Sequence, residues 1–257
     1  MNASDLKIGQ NYRYVRSHPN VKDVFSTLWK DELSVGLEAK EGNVSLDDSL
    51  IVSMDSVLMW KPWWVRDDWT PRTEGLHLDQ NLITTPQFVC AQSMVTLYDV
   101  TPEIGGLEVV SRSHSKEEIA KFQERYKSKY RGCADNFIML PRDDPHQGKG
   151  HLLLAKAGDL ILWDSRTIHG GLVGTADPSH PPSLFPSGTA SLARLAVTVS
   201  MVPRKRAKEN VLKKRREGFE KGWGFNHMPW EARVTARSYG PSPYVPIALS
   251  PDQLALL

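Results

Sequence analysis

The chain has 257 residues, 40% hydrophobic and 24% charged, enough to bury a sizeable core in one large domain or two small ones. Its formal net charge of +2 provides no global field, so neither nucleic acid nor a membrane surface is expected as a partner. Cys90 and Cys133 form no disulfide framework, the first residues lack the apolar stretch of a signal peptide, and no apolar run reaches a membrane span, so a cytoplasmic protein is expected.

Residues 1–50 are mixed and polar, with helical patches over 21–37, and His18 before Pro19 reads as a surface residue. Residues 53–62 read as a strand stopped by Pro62. An aromatic loop over 63–71 follows, and Trp60, Trp63, Trp64 and Trp69 either pack a domain end or wall a substrate pocket.

Residues 75–81 read Gly-Leu-His-Leu-Asp-Gln-Asn. His77 and Asp79 are two apart, so on an extended strand both side chains leave one face. An imidazole beside a carboxylate supplies two thirds of a 2-His-1-carboxylate triad, the ligand set of non-haem Fe(II). Such a tripeptide is common by chance and needs a second histidine from a distant strand.

Residues 88–100 read as a long strand apolar on both faces, 101–106 as a turn, and 107–110 as a short strand ending at Ser111-Arg112-Ser113-His114. Residues 116–130 form an amphipathic pattern with Ile119, Phe122 and Tyr126 on one stripe. A polar loop over 131–150 leads to a strand at 151–154, a turn at Gly158 and a strand at 159–164, with His169 beyond its far end. Residues 175–191 are rich in Pro, Ser and Gly, hence a loop, and 194–202 have strong β propensity.

The tail carries Arg204-Lys205-Arg206 and Lys213-Lys214-Arg215-Arg216, interleaved with Glu209, Glu217 and Glu220 and with apolar Val211, Leu212 and Phe219. A solvated amphipathic helix explains that pattern better than a nuclear address or a nucleic-acid patch. Residues 239–251, with four prolines, read as an extended strap. Short strands between turns, with helices around them, predict a β-sandwich or barrel with flanking helices.

His169 is the favoured distal ligand, because it follows the apolar strand over 160–163 and precedes Gly170-Gly171, where other groups can approach closely. His114, His146, His151, His180 and His227 lie in turns or polar and Pro-containing loops and are weaker candidates.

Three segments together, residues 75–81, 105–114 and 158–171, resemble the phytanoyl-CoA dioxygenase-like family, in order and in strand context. Ser111-Arg112 stands where that family usually has Pro-Gly, and the resemblance covers roughly residues 50 to 202. It implies a mainly β fold with flanking helices, a double-stranded β-helix (jelly roll, cupin-like). It also implies Fe(II) held by His77, Asp79 and His169, with 2-oxoglutarate and O₂ as co-substrates. The whole chain then reads as one dioxygenase domain, its core at about 50–202, with a helical N-terminal part and a C-terminal helix plus strap.

By the same resemblance Arg194 anchors the distal carboxylate of 2-oxoglutarate, a task suited to a forked, permanently charged group. Arg194 lies 25 positions after His169, about twice the family's spacing, and the loop over 175–191 accounts for the excess. Gly171 stands where the family often has a hydroxyl, so Thr96 or Gln92 is expected to supply that hydrogen bond. Arg166 is expected to meet the primary substrate or a surface acid, and Arg112, Arg66 and Trp64 to help hold the substrate.

The implied reaction couples oxidative decarboxylation of 2-oxoglutarate to oxidation of a substrate C–H bond, with hydroxylation as the default and desaturation or ring closure as variants. Asp79 disfavours halogenation, since halogenases of related fold lack that carboxylate. A small polar or carboxylate-bearing metabolite, such as an amino acid, is the expected substrate. The competing readings are a non-catalytic jelly-roll binding protein and a nucleic-acid-directed oxygenase using the basic tail; a cupin-type Zn enzyme would want more histidines.

Overall fold

The computed structural model describes residues 14–34, 50–182, 192–237 and 244–257. Its strands are β1 Leu50–Val52, β2 Val57–Trp60, β3 His77–Leu78, β4 Ala91–Thr96, β5 Gly105–Val109, β6 Ile138–Met139 and β7 His151–Leu152. They continue with β8 Leu160–Asp164, β9 His169–Val173, β10 Arg194–Val199, β11 Met201–Pro203, β12 Gly224–Phe225 and β13 Val234–Ala236. The two larger sheets have the orders β6-β3-β9-β5-β7 and β2-β10-β4-β8, and β1-β11 and β12-β13 form smaller pairs. The fold is the expected jelly roll, mostly antiparallel β with a few helices.

The chain divides into two compact units: Met59–Ala91 with Thr96–Ala196, and Met1–Leu58 with Gln92–Val95 and Val197–Leu257. The first holds the whole five-stranded sheet, in which β3 pairs antiparallel with β6 and β9, and β5 with β7 and β9. On β3 the alternation of the strand sends Leu76 and Leu78 to one face and His77 to the other. Leu76, Leu78 and Ile168 (the neighbour of His169) are buried with Leu82, Val110, Ile138 and Leu140 against Ile119, Phe122 and Tyr126 of the helix Lys116–Tyr130. Each such side chain contributes about 2 kcal/mol on burial, which fixes the face on which the histidines emerge. Ser115 caps that helix by accepting from Glu118 N; Glu117 and Glu118 lie in its first turn, Lys127 and Lys129 in its last, as the helix dipole favours.

A buried polar knot ties this helix to the segment after it. Tyr126 donates its hydroxyl to Asp144 Oδ2 at 2.7 Å, while His146 N and Nδ1 each reach Asp144 Oδ1 at 2.8 Å. The hydroxyl and both nitrogens donate, since an ionised carboxylate only accepts.

In the second unit the helix Pro19–Leu28 is capped by His18, whose ring accepts from Asn20 N, and Val21 and Phe25 are buried. The expected helical patch over 21–37 is thus two helices, Pro19–Leu28 and Lys30–Ser34, with residues 35–37 outside the described residues. The helix Glu209–Glu220 forms where the basic tail predicts one, but it is not merely a solvated face. Arg215 is fully buried, and its guanidinium donates to the carbonyls of Leu257, Pro229, Val52 and Leu256. Of the expected strap, residues 244–250 carry no regular structure and Pro251–Ala255 is a helix; residues 239–243 contain positions outside the described residues.

Several boundaries differ from the sequence expectations. The long strand over 88–100 is continuous only at Ala91–Thr96, with a separate antiparallel bridge from Val100 to Ala155, and the one over 53–62 is a strand only at Val57–Trp60. Gly105 and Gly106, read as a turn, open β5 instead; a β-carbon at Gly105 would meet Leu172 O at 2.1 Å, so glycine is what lets β5 run beside β9. The polar loop over 131–150 contributes β6 to the edge of the sheet, beside His77. The strand over 194–202 is β10 and β11, and of the loop over 175–191 residues 183–191 lie outside the described residues.

Candidate metal centre

His77 and His169 are directly paired across β3 and β9, so their side chains share one face of the sheet. Their ring centroids lie 4.5 Å apart. Asp79 follows β3 and turns its carboxylate to both rings, with Oδ1 at 3.9 Å from His77 Nε2 and Oδ2 at 3.3 Å from His169 Nε2. One ligand atom from each of the three lies within 4.8 Å of the other two.

Each histidine is oriented by the carbonyl two residues before it. His77 Nδ1 lies 2.8 Å from Gly75 O, and His169 Nδ1 lies 2.8 Å from Thr167 O. A carbonyl only accepts, so Nδ1 carries a proton in both rings, and Nε2 is the ring atom turned to Asp79 and left to bind a metal. This is the second-shell device by which metal-ligating histidines are held in one tautomer. Burial, then the neighbouring His169, pulls the His77 pKa below the ordinary value, which favours the neutral ring. Burial acts the same way on His169, but the hydrogen bond and charge of Asp79 outweigh it and push that pKa up.

Local sequence explains this arrangement. Gly75 has φ of 69°, and a β-carbon on Gly170 would sit 2.5 Å from Gly75 O, so two glycines let that carbonyl come in under β9. The segment Ser111-Arg112-Ser113-His114 brings no ligand to the centre. Ser113 Oγ accepts from Ile168 N at 2.8 Å, and His114 Nδ1 meets Thr167 Oγ1 at 3.3 Å, so both brace the approach to His169. Gln80, fully buried beside Asp79, meets Ser165 Oγ through Oε1 and donates through Nε2 to Thr85 O and Gln87 O. The two ligand-bearing segments are thereby tied together.

Strand pairing sets a row across the sheet on the same face as the ligands: Met139, His77, His169, Val109 and His151. Phe137 joins its Met139 end, with its ring 5.1 Å from that of His77. Met139 is 53% exposed. Sequence reasoning passed over both residues, although the apolar run Phe137-Ile138-Met139-Leu140 inside a polar stretch was a visible signal.

Arg194 opens β10, is buried, and stacks its guanidinium over the Trp60 ring at 4.4 Å; burial draws its pKa down to about 10. Thr96 is buried on β4 and donates its hydroxyl to Tyr98 O at 2.6 Å. Gln92 is buried on the same strand but falls in the other unit. Arg166 forms a fork with Asp164, Nη2 to Oδ2 at 2.7 Å, and also donates to Pro86 O. Arg66 is exposed and pairs with Asp68, while Trp64 is buried edge-on to Trp63 at 5.0 Å. Arg112 is exposed, with φ of 61°.

The donor set fits Fe(II). Two neutral imidazoles and one carboxylate, each turned to a common point, make the facial arrangement that leaves an octahedral ion three further positions. A jelly roll that gathers this set defines the class of non-haem metal oxygenases. The profile of the phytanoyl-CoA dioxygenase family matches residues 7–173, and the chain belongs to that family. Its members use Fe(II), 2-oxoglutarate and O₂. Ava biosynthesis cluster protein O of Aspergillus versicolor is 24% identical over 233 residues, covering 85% of this chain and 63% of that protein. The chain thus spans under two thirds of the length of the curated relative it matches.

Among solved structures, the epimerase SnoN in complex with Fe³⁺, alpha ketoglutarate and nogalamycin RO has 16% identity and a TM-score of 0.44, over 77% of this chain and 61% of that one. A hypothetical protein of Escherichia coli, JW0805, has 13% identity and a TM-score of 0.49, over 89% and 64%. No helix of the described residues is long and apolar enough to cross a membrane.

Proposed function

We propose that the protein is an Fe(II)- and 2-oxoglutarate-dependent oxygenase that oxidises a C–H bond of a small molecule. The observation that carries this reading is the convergence of His77 Nε2, His169 Nε2 and the Asp79 carboxylate, with both Nδ1 protons held by backbone carbonyls. When bound, the iron and its co-substrates supply the oxidising power for the C–H bond. The chain's own part is to hold that centre and to position what meets it. His77, Asp79 and His169 are the ligands, and Arg194 pairs with the distal carboxylate of 2-oxoglutarate from its buried place on β10. Of Thr96 and Gln92, Thr96 shares the ligands' unit and is the candidate for a lesser role at that co-substrate, with Oγ1 still able to accept a hydrogen bond while donating to Tyr98. The whole chain is read as one catalytic domain of a cytoplasmic protein, with Cys90 and Cys133 in no disulfide.

On the substrate side, support moves away from a carboxylate-bearing metabolite. Arg66 and Arg166 are engaged by Asp68 and Asp164, whereas Phe137, Met139 and Val109 share the ligands' face. An apolar portion presented beside His77 fits that wall better than an amino acid does. The relative from a biosynthesis cluster favours natural-product chemistry, with hydroxylation as the default outcome.

The test is to mix the protein anaerobically with Fe(II) and 2-oxoglutarate and record the weak visible charge-transfer band. A band in the parent chain and none in His77→Ala is expected. Absence of the band in both would favour a binding protein with a vestigial site. Succinate release across a panel of apolar natural products, acyl thioesters and amino acids then identifies the substrate class.

A further inference from the structure

Trp163 lies on β8, six residues before His169, and its ring centroid is 5.4 Å from the His169 ring at an interplanar angle of 55°. Its indole Nε1 is buried and has no hydrogen-bond partner among the described residues. An indole nitrogen only donates, and a buried donor without an acceptor is costly enough that native interiors rarely keep one. The polar groups along its own segment are already engaged. Asp164 accepts from the Arg166 fork, Ser165 meets Gln80, Thr167 Oγ1 meets His114, and Thr167 O takes the His169 Nδ1 proton. His169 itself turns Nε2 to Asp79. None of these groups is left to accept from Trp163 Nε1, and the ring beside it is that of a ligand histidine.

We propose that Trp163 is a further binding residue of this site, its indole N–H donating to an oxygen of the oxo acid bound beside His169. This rests on the reading of the centre as a 2-oxoglutarate site. It gives the residue two duties, packing against the ligand histidine through its ring and reading an anionic oxygen through its nitrogen. Phenylalanine at 163 would keep the first and remove the second.

The experiment uses Trp163→Phe in the full chain, checked for an unchanged melting curve. Fe(II) binding is measured first and is expected to match the parent, since no ligand atom is altered. Titration of 2-oxoglutarate into the anaerobic Fe(II) protein, followed by the charge-transfer band, is expected to need about tenfold more co-substrate, equivalent to about 1.4 kcal/mol. In parallel, the chain is labelled with ¹⁵N-tryptophan and loaded with Zn(II), and the indole resonance missing from the variant is expected to move when 2-oxoglutarate is added. Equal 2-oxoglutarate affinity in parent and variant, with an unmoved resonance, overturns the proposal while leaving the oxygenase reading intact. A parent chain that shows no band with 2-oxoglutarate overturns both. Where the Phe variant fails to fold, Trp163→Leu, which is apolar and carries no donor, makes the same comparison.

Discussion

Gly170 and Gly75 approach so closely that a β-carbon on the first would stand 2.5 Å from the carbonyl oxygen of the second, the oxygen that holds His77 Nδ1. An apparently featureless glycine after the distal histidine therefore sets the orientation of the proximal one. Gly170→Ala must displace that carbonyl, and metal affinity is expected to fall about 10- to 100-fold, the usual effect of disturbing a group that orients a ligand. Calorimetric titration with Co(II) or Fe(II), with circular dichroism to show a retained fold, measures it. Unchanged affinity would show that His77 does not depend on this contact.

Arg194→Ala is expected to leave metal binding in place and to weaken 2-oxoglutarate by about 10- to 100-fold, the range of a charge-assisted hydrogen bond. Arg194→Lys keeps the charge but not the fork and should fall between. The charge-transfer titration reads both. An alanine variant with parental affinity would move the anchor elsewhere.

The Asp144 knot predicts where stability depends on pH. Burial raises the Asp144 pKa, but the hydrogen bonds from His146 N, Tyr126 and the His146 ring outweigh it and hold the carboxyl below its usual range. A depressed carboxyl contributes fully above the unfolded value of about 4 and loses its contribution as pH falls. Burial, and then the hydrogen bond to Asp144, push the Tyr126 hydroxyl up to about 12. Its contribution is complete below the unfolded value of about 10 and fades as pH rises toward the folded one. Urea unfolding against pH should show losses at both ends, and Tyr126→Phe should remove the alkaline one. The same substitution leaves Asp144 short of a donor and costs about 1–3 kcal/mol at neutral pH.

Arg215 is fully buried, and burial draws its pKa down to about 9. Its guanidinium is the donor for carbonyls of four residues, so Arg215→Met strands several buried acceptors at once. A loss of about 3 kcal/mol is expected, lowering the melting temperature by about 6–12 °C for a domain of this size. A melting curve that does not shift would mean that water satisfies those carbonyls.

The candidate site was legible in the sequence where one residue type answers one physical demand. His77, Asp79 and His169 stand out because two imidazoles and a carboxylate in strand context have few other uses, and the structure gathers them. Arg215 was misread because a basic run gives no sign of which member turns inward; that depends on carbonyls supplied by Val52, Pro229, Leu256 and Leu257. The strand at His169–Val173 was hidden by Gly170 and Gly171, which have low β propensity yet are what close packing under Gly75 and Thr73 requires. Phe137 and Met139 fell inside a stretch judged by its polar neighbours, and only pairing with β3 reveals their face.

The two histidines are also unequally secured. β9 is matched to β5 over five consecutive residue pairs, from Gly105 with Val173 to Val109 with His169. β3 is two residues long and is held by His77 with Met139, Leu78 with Ile138 and His77 with His169. Amide exchange under mild denaturant should therefore open the centre from one side, with the His77 hinge loosening while the His169 post still stands. A bound ion would act as the rivet that makes both halves come apart together.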